Sequence, residues 1–414
     1  MHIIYLGIIS RPEDIGKIGE ASVAGNKMQY NLLKYLSQYE DVTVDVVSFH
    51  PYRAPHRSKK LFVRTTKEQL FDRIDLWQVG YLNLPIIKQL LLPIVTYFKA
   101  RSLLRDKNDV LFAYDMYPTQ GIPMSLLRKR VGDKTFCLLA DLSVGQIKQT
   151  KGPTKLLRMR YERNTLSNMR KCKHYIALNE NAMKKYAPHS EYVIVDGGIE
   201  PSEFAERERS WSGEEKNMIY TGALVDYSGI MNLIKAIDRI EDQTIVLDIY
   251  GRGALQSEIE RISKENPRIR FHGSVDNRTA ILAQQSAWLL ANPRPVESEI
   301  AKVTFPSKIF EYLMSERPVM TTRLNGFSKD YDALLYWIEG ETPETIAECV
   351  NKINRESPEA LLDRARAAKQ YLLRHKTWEI NAKRIREFMI ESLDENRVNG
   401  VSYGTNQGEE KDKS

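Results

Sequence analysis

The chain contains few cysteines, and they are far apart. Its 3 cysteines are Cys137, Cys172 and Cys349, and no two of them form a C-x-x-C pair. This spacing argues against a structural zinc site and favours a reducing, cytoplasmic compartment.

The chain also lacks a long hydrophobic run and a leader-like N-terminus. Its most apolar stretch, Leu90–Phe98, is about half as long as a membrane-spanning helix, and Lys88 and Lys99 flank it. Strand-like residues begin at Ile3 with no basic segment before them, so we expect no signal peptide. We therefore expect a soluble protein, or one peripheral to the inner face of the cell membrane.

The basic residues are unevenly distributed. Residues 1–198 carry 31 Lys and Arg against 18 Asp and Glu, a net charge of +13, whereas the remainder has a net charge of −6. A basic half of this kind suggests an anionic partner, such as a membrane surface. Nucleic acid would also fit the charge, but we find no RNA-binding or zinc-finger signature and do not predict it as a partner.

Short apolar runs alternate with helical patterns along most of the chain, which predicts parallel sheets covered on both faces. The pattern begins again after the polar stretch Pro201–Asn217. Because 414 residues exceed one ordinary domain, we predict an α/β protein with two Rossmann-like, doubly wound domains. The predicted organisation is a first domain over 1–200, a second over 201–376, a helix over 377–395 and a disordered tail over 396–414.

The predicted elements differ in number between the two halves. In the first half the strands are Ile3–Ile9, Val42–Ser48, Leu76–Tyr81, Val110–Tyr114, Thr135–Ala140, Tyr175–Leu178 and Tyr192–Val195, and the helices are Gly25–Tyr39, Ile86–Leu104 and Pro153–Met169. In the second half the strands are Met218–Gly222, Ile245–Tyr250, Ile269–Phe271, Trp288–Ala291 and Val319–Thr321, and the helices are Ile230–Ile240, Leu255–Glu265, Thr279–Ser286 and Ser307–Ser315. The last helix, Trp378–Leu393, could pack on the second domain or return to the first, and the sequence favours neither.

Glycines at two strand ends could allow a phosphate to approach the backbone. The loop Gly19–Asn26 leads from the first strand region into a helix, so the N–H groups of Gly25 and Asn26 could bind a phosphate. Gly251-Arg252-Gly253 follows another predicted strand. An ordinary tight turn explains each of these segments equally well.

The most informative segment runs from Asn292 to Leu313. Ser307 is placed to cap a helix after Pro306, and Lys308 and Glu311 then share one face of that helix. A cation in the first helical turn is unfavourable unless an anion is shared, and a carboxylate one turn later could accept both hydroxyls of a ribose. Arg294 ends the preceding strand and would reach the same crevice. The alternative is a surface Lys–Glu pair.

These residues carry a family resemblance. Tyr220–Leu224, Gly251–Gly253, Phe271–Gly273, Asn292–Arg294, Phe305–Leu313 and Arg317–Val319 together resemble the donor domain of family 4 glycosyltransferases. The resemblance is strongest to bacterial enzymes of capsular or exopolysaccharide synthesis. It implies the GT-B fold, in which two Rossmann-like domains face each other across a cleft, and a mostly retaining, metal-independent transfer from a nucleoside diphosphate sugar.

The resemblance also implies roles for individual residues. Glu311 would bind the donor ribose, Lys308 and Arg294 would face the diphosphate, and Gly222 would lie in the donor loop. Three positions depart from the family pattern: Ala223 and Ser228 replace an Arg and a Lys that grip the diphosphate, and Val303 replaces the first Glu of an acidic pair. Phosphate binding must then depend on Lys308, Arg294 or Arg252, or activity is reduced or lost.

The catalytic candidates are two aspartates at neighbouring strand ends. Asp141 follows the strand Thr135–Ala140, where similar enzymes often have a His or Asp that faces the acceptor and the sugar, so it could act as a base. A helix-cap or loop role explains Asp141 equally well, and Asp115 is the reserve candidate. We interpret the D-x-D string Asp330-Tyr331-Asp332 as coincidental, because it lies beyond the donor motif, and predict neither a metal nor another cofactor.

Three functions remain open on this evidence. The first is a glycosyltransferase that acts on a lipid-linked or saccharide acceptor. The second is a nucleotide-sugar 2-epimerase of the same fold, and the third is a non-catalytic protein, which the three departures from the family pattern would explain.

A basic segment could bring the protein to anionic lipid. Between residues 148 and 173 Glu162 opposes nine basic residues, and apolar residues are interleaved with them, as in an amphipathic helix lying on lipid. The basic residues are Lys148, Lys151, Lys155, Arg158, Arg160, Arg163, Arg170, Lys171 and Lys173. The alternative is that the apolar residues pack on the sheet and the charges are solvated.

Overall fold

A computed structural model describes residues 1–15, 22–53, 55–58, 60–140, 154–204, 215–296, 305–306 and 308–394. The chain divides into two units, one formed by Met1–Asp196 with the segment from Trp378 onward, the other by Gly197–Thr377. The sheet of the first unit is parallel except for its edge strand, that of the second unit is parallel throughout, and both pack with helices, which confirms the predicted fold class. The predicted tail and several candidate residues, among them Asp141, Val303 and Ser307, lie outside the described residues.

The first unit contains an eight-stranded sheet in the order β10-β9-β8-β7-β1-β2-β5-β4 and a small β3-β6 ribbon. Its strands are β1 (His2–Leu6), β2 (Thr43–Ser48), β3 (Phe62–Val63), β4 (Thr66–Phe71), β5 (Ile74–Gln78), β6 (Tyr81–Leu82), β7 (Val110–Tyr114), β8 (Thr135–Leu139), β9 (His174–Ala177) and β10 (Glu191–Ile194). Its first six helices are α1 (Val23–Leu36), α2 (Pro55–Ser58), α3 (Pro85–Leu103), α4 (Pro118–Val131), α5 (Thr154–Met169) and α6 (Glu180–Tyr186).

The second unit contains a fully parallel sheet in the order β13-β12-β11-β14-β15-β16. Its strands are β11 (Asn217–Ala223), β12 (Val246–Arg252), β13 (Ile269–Gly273), β14 (Leu289–Asn292), β15 (Val319–Thr322) and β16 (Tyr336–Ile338). Its helices are α7 (Ile230–Ile237), α8 (Gln256–Glu265), α9 (Asn277–Ser286), α10 (Lys308–Met314), α11 (Pro343–Asn354) and α12 (Pro358–His375). Short 3-10 turns lie at Pro12–Asp14, Pro201–Glu203, Asp226–Ser228 and Lys329–Tyr331.

The last helix, α13 (Trp378–Leu393), packs in the first unit. Its buried side chains include Trp378, Ile385 and Phe388, and they join the core formed by α1 and the large sheet. At its exposed side the Arg386 guanidinium donates to the Asp41 carboxylate over 2.7 Å. Of the two placements that the sequence leaves open, the tertiary structure therefore selects the return to the first unit.

Several elements are absent from the sequence-based prediction, and α4 shows why. It contains Gly121 and Pro123, which usually interrupt helices. Tertiary contact outweighs this local preference: a Cβ atom on Gly121 would lie 2.6 Å from both the Asn168 amide nitrogen and the Met116 carbonyl oxygen, so α4 packs closely only with glycine there. The other elements absent from the prediction include β16, α11 and α12.

Candidate functional site

The strand order of the second unit points to one end of its sheet as the ligand site. The chain runs outward from β11 through β12 to β13, and then returns to β14 on the opposite side of β11. In open parallel sheets the loops at such a switch point separate beyond the carboxyl ends of the strands and leave a crevice for ligands. The segment from Leu224 to Gly229 follows β11, and Pro293-Arg294 follows β14, so both adjoin this crevice.

Arg294 is the most unusual charged residue at the switch point. Its side chain is largely buried, and among the described residues its Nε atom has no hydrogen-bond partner. Burial lowers the pKa of the Arg294 guanidinium, because the charged form loses hydration. Its backbone is fixed by the Thr322 hydroxyl, which donates to the Arg294 carbonyl oxygen. A buried cation without a counterion is costly, and an anionic ligand would reduce that cost.

Tyr220, on β11, is the tyrosine whose hydroxyl is influenced by the Arg294 charge. Burial raises the pKa of Tyr220 to about 12, and the nearby Arg294 charge acts in the opposite direction. The Tyr220 hydroxyl donates to the Ala223 carbonyl oxygen over 2.9 Å. The guanidinium of Arg294 is therefore close enough to Tyr220, near the carboxyl end of β11, for the two groups to interact electrostatically.

Lys308 and Glu311 share one face of α10, as their spacing predicted. The Lys308 Nζ atom donates to a Glu311 carboxylate oxygen over 2.7 Å, and both side chains are partly exposed. Without a ligand the two charges therefore neutralise each other. The predicted cap residue, Ser307, lies outside the described residues.

The position of α10 is set by Tyr312, the residue of this helix that follows Glu311. Its hydroxyl accepts from the Thr221 backbone N–H over 2.8 Å and donates to the Thr221 carbonyl oxygen over 3.2 Å. Thr221 lies near the carboxyl end of β11 and is buried with Tyr312. This anchor brings the Lys308–Glu311 pair to the switch-point end of the sheet. Sequence analysis did not identify Tyr312, whose aromatic ring alone indicates only a core position.

The glycines near β11 and β12 bring two backbone segments into close contact. A Cβ atom on Gly253 would lie 2.2 Å from the Leu224 carbonyl oxygen, and the Leu224 N–H donates to the Arg252 carbonyl oxygen over 3.0 Å. Gly222 pairs with Gly251 in the parallel register. Strand packing thus explains these glycines by itself. The side chain of Arg252 is exposed at the end of β12 and can reach outward.

Two of the three positions that depart from the family pattern, Ala223 and Ser228, lie at the switch point. Ala223 is exposed, and the Ser228 hydroxyl donates to the Val225 carbonyl oxygen over 2.7 Å. Gly229 has a φ of +75°, and a Cβ atom there would lie 1.9 Å from the Pro293 carbonyl oxygen. The loop after β11 therefore contacts the loop after β14, although neither Ala223 nor Ser228 provides a cation.

In the first unit, Gly25 and Asn26, which we expected in a phosphate-binding loop, are helix residues. Helix α1 begins at Val23, so Gly25 and Asn26 lie inside it: the Gly25 N–H donates to the Ser22 hydroxyl and the Asn26 N–H to the Ser22 carbonyl. The Asn26 side chain makes two hydrogen bonds with the Ser10 backbone, over 2.7 and 3.0 Å. The expectation of free N–H groups at Gly25 and Asn26 is corrected, because helix capping occupies both.

Asp115 lies at the corresponding switch point of the first unit, between β1 and β7. It is buried, its φ is +57°, and its carboxylate accepts from the Ala140 N–H over 2.9 Å. A non-glycine residue in this region is strained and is frequently found at functional sites. Here Asp115 connects the ends of β7 and β8. Asp141, the first catalytic candidate, is outside the described residues.

His50 is a further polar residue that sequence analysis missed. It follows β2 at the carboxyl end of the sheet, and its Nδ1 atom lies 3.2 Å from the Ser10 hydroxyl oxygen. Burial lowers the pKa of His50, which favours the neutral imidazole near pH 7. Its position directly beyond a predicted strand end was the available signal.

Both aspartates of the D-x-D string have hydrogen-bonding or ionic partners. Asp332 pairs with Arg323 over 2.6 Å, and Asp330 accepts from the Tyr371 hydroxyl over 3.2 Å. Among the described residues, no group of three or more His, Cys, Asp or Glu residues could hold a metal ion.

Comparison with known proteins shows which family the second unit resembles. Residues 215–355 match the family model described as glycosyl transferases group 1. A protein of Escherichia coli (strain K12), provisionally named colanic acid biosynthesis glycosyl transferase WcaI, is 23% identical over 176 residues. The match covers 38% of this chain and 42% of that protein, so the chain spans less than half the length of this relative. These matches confirm the predicted resemblance to GT-B glycosyltransferases of exopolysaccharide synthesis.

Solved structures extend the likeness to the whole fold. Sucrose-phosphate synthase from Thermosynechococcus elongatus has a TM-score of 0.65 and 14% identity, covering 95% of this chain and 99% of that one. Anabaena HepE in complex with UDP has a TM-score of 0.62 and 14% identity, covering 94% of this chain and 100% of that one. The OtsA apo structure has a TM-score of 0.67 at 10% identity, covering 96% and 100%. The fold is therefore that of the GT-B glycosyltransferases.

Proposed function

We propose that this protein is a retaining, metal-independent, family 4-like glycosyltransferase. It would move a sugar from a nucleoside diphosphate sugar to a lipid-linked or saccharide acceptor in cell-surface polysaccharide synthesis. The observation that carries the proposal is Arg294, a largely buried guanidinium at the switch point whose Nε has no partner among the described residues. The family match over residues 215–355 and the UDP in the similar Anabaena structure support a diphosphate donor.

The second unit would hold the donor. Arg294 and Lys308 would contact the diphosphate, and Glu311 would accept hydrogen bonds from the ribose hydroxyls. Donor binding would separate Lys308 from Glu311. The diphosphate would replace Glu311 as the partner of Lys308, and the ribose hydroxyls would replace Lys308 as the partners of Glu311. Gly222, Arg252, Gly253 and Ser307 would complete the donor loops, and no cofactor is proposed.

The chemical step requires stabilisation of the departing diphosphate and a group that takes the acceptor proton. Negative charge grows on the diphosphate as the glycosidic bond breaks, and fixed cations at Arg294 and Lys308 would stabilise it. The first unit would receive the acceptor, with Asp141 as the proton acceptor and Asp115 in reserve. His50, neutral and close to Ser10, is an additional candidate for acceptor binding.

A thermal-shift panel of nucleoside diphosphates and their sugars tests the proposal. A ligand at 100 times its dissociation constant adds about 2.7 kcal/mol to the stability of the unit that binds it. A shift with one nucleotide class, together with transfer of that sugar, is the expected result. If no nucleotide shifts the unfolding temperature, the result supports the non-catalytic alternative, which Ala223, Ser228 and Val303 would explain. Formation of a 2-epimer from UDP-GlcNAc would instead establish the epimerase.

Lys308→Ala and Glu311→Ala should each weaken donor use without unfolding the protein. Their mutual ion pair is partly exposed and contributes little to the fold, whereas each lost charged contact to the donor is worth roughly 1.5–3 kcal/mol. A donor titration of turnover measures the effect. Arg261→Ala, which breaks an exposed i, i+4 pair with Glu265 on α8 at 2.8 Å, is the control. Wild-type donor kinetics in both site variants would refute the assignment.

We also propose that the basic segment 148–173 contacts an anionic membrane surface. None of the described helices is long and apolar enough to cross a membrane. On α5 the described side chains of Lys155, Leu156 and Met159 are exposed, which fits a helix lying on lipid. Residues 148–153 of this segment lie outside the described residues.

Replacing Lys151, Lys155, Arg158 and Lys173 with Gln should weaken sedimentation with anionic vesicles and leave nucleotide binding unchanged. Each basic residue near an anionic surface contributes about 1 kcal/mol, and salt screens this attraction. Vesicle sedimentation at rising salt is the measurement, and neutral vesicles are the control. Binding that is independent of salt, or no binding to anionic vesicles, would contradict a role for this segment.

A further inference from the structure

Helix α3 carries a row of exposed, large apolar side chains. Ile86, Leu90, Ile94 and Phe98 are 66%, 66%, 50% and 59% exposed. They are spaced four residues apart over 19 residues of helix, so they form one apolar stripe along its outer side. We call these four residues the α3 stripe.

The core of the first unit does not need the α3 stripe. Helix α3 already buries Leu92, Thr96 and Ala100 on its opposite side. The helix packs against α4 and contacts strands β1 and β2, so its inner face is fully used. A contiguous exposed apolar surface of this kind on a folded domain usually marks a docking surface.

The charges around the stripe indicate the occupant. Residues 83–105 contain no Asp or Glu, and their exposed cations are Arg101 and Arg105. Lys88 and Lys99 have partners within the protein, the Tyr52 carbonyl oxygen and the Trp77 ring. A surface that binds a basic partner would carry acidic residues. Their absence over the whole helix favours a partner that is apolar inside and anionic at its surface.

The neighbouring helices α4 and α5 also expose cations and apolar side chains and have few carboxylates. Helix α4 packs against α3, and α5 packs against α4. The exposed cations on these two helices include Lys129, Arg130, Lys155, Arg160 and Arg163. Helix α4 has no carboxylate, and the one carboxylate of α5, Glu162, is 8% exposed. Leu126 and Leu156 add exposed apolar area at 51% and 74%.

We infer that the α3 stripe inserts into the headgroup region of a phospholipid bilayer with anionic lipids. A helix of 19 residues lies about 28 Å along the surface, with the stripe in the acyl boundary and Arg101 and the exposed cations of α4 and α5 at the phosphates. This inference deepens the membrane contact proposed above. It requires neither transferase activity nor the segment 141–153.

Vesicle binding of a stripe variant tests the inference. The variant combines Ile86→Gln, Leu90→Gln, Ile94→Gln and Phe98→Gln, and its matched control combines Leu373→Gln with Ile390→Gln, which are 37% and 41% exposed on other helices. The probe is a vesicle of phosphatidylglycerol and phosphatidylcholine in equal parts. We expect the stripe variant to partition roughly tenfold or more weakly at every salt concentration, because apolar burial is lost. The control should sediment like the wild type.

A single-site label covers the case in which the stripe variant fails to fold. The three native cysteines are buried, so a polarity-sensitive dye should react selectively with Phe98→Cys. Anionic vesicles should shift the emission of this dye to shorter wavelength, whereas the same dye at Ile390→Cys should not respond. Equal responses at both positions, or none at Phe98→Cys, would overturn the inference.

A second copy of the chain is the competing occupant, and sedimentation equilibrium without lipid detects it. A wild-type dimer that becomes monomeric in the stripe variant, with unchanged vesicle binding, would show that the stripe is a protein interface. Donor-induced thermal shifts should be the same in the wild type and the stripe variant. Their absence in both would refute the proposed transferase and leave the membrane inference standing.

Discussion

Replacing Arg294 with methionine should lower turnover about 10²–10³-fold, the typical effect of removing one group that stabilises transition-state charge. The guanidinium lies beside Tyr220 at the end of β11, where the departing diphosphate of a donor would bind. Methionine fills a similar volume and removes the charge, so the change should act on the ligand and not on packing. Steady-state turnover measures the loss of catalysis, and a donor titration measures the loss of donor affinity.

The same variant should keep or raise the unfolding temperature of the ligand-free protein. Arg294 is largely buried and its Nε has no partner among the described residues, so its removal relieves a desolvation cost. Arg294→Lys serves as the comparison, because it retains the charge and loses the planar fork. Marked destabilisation of Arg294→Met together with unchanged donor binding would show that Arg294 is a structural residue.

Asp141→Asn should lower turnover by about 10²–10⁴-fold, the usual contribution of a general base, while nucleotide affinity changes little. In the sequence, Asp141 comes two residues after Leu139, the last residue of β8, and the residue itself lies outside the described part of the chain. An amide preserves size and hydrogen bonding but does not accept the acceptor proton. Single-turnover transfer and a separate nucleotide titration distinguish the two quantities.

Asp115→Asn is the control for Asp141. Asp115 accepts a hydrogen bond from the Ala140 N–H, and an asparagine side-chain oxygen can still accept it. This variant should therefore fold normally, and its turnover should fall less than that of Asp141→Asn. If Asp141→Asn loses nucleotide binding and turnover to the same degree, Asp141 is a structural cap. If Asp115→Asn has the larger effect on turnover, the two roles are reversed.

The fold class could be predicted because its signal is local and repeated. Alternating apolar strands and amphipathic helices predict parallel sheets wherever they occur, and strands such as β7 were predicted at their observed limits. Helix α4 could not be predicted, because Gly121 and Pro123 oppose helix formation locally. Its contact with Asn168, far along the chain, decides the matter.

The candidate site divides in the same way. The pairing of Lys308 with Glu311 follows from helical spacing alone, and the structure shows it at 2.7 Å. The Tyr312 hydroxyl that fixes α10 to Thr221 joins residues far apart in the sequence, so no local pattern could reveal it. Gly25 and Asn26 show the opposite error: their N–H groups, which suggested phosphate binding, are bonded to Ser22 in the first turn of α1.

The sequence by itself determined the alternation of strands and helices, the resemblance to glycosyltransferases and the position of Arg294 at a strand end. These properties depend on neighbours within a few residues, where periodicity and turn chemistry act. Only the tertiary structure decided that α13 joins the first unit, that Arg294 is buried and that α3 exposes one apolar face. Burial is a property of the whole packed chain, because a side chain is removed from water by residues that are distant in sequence.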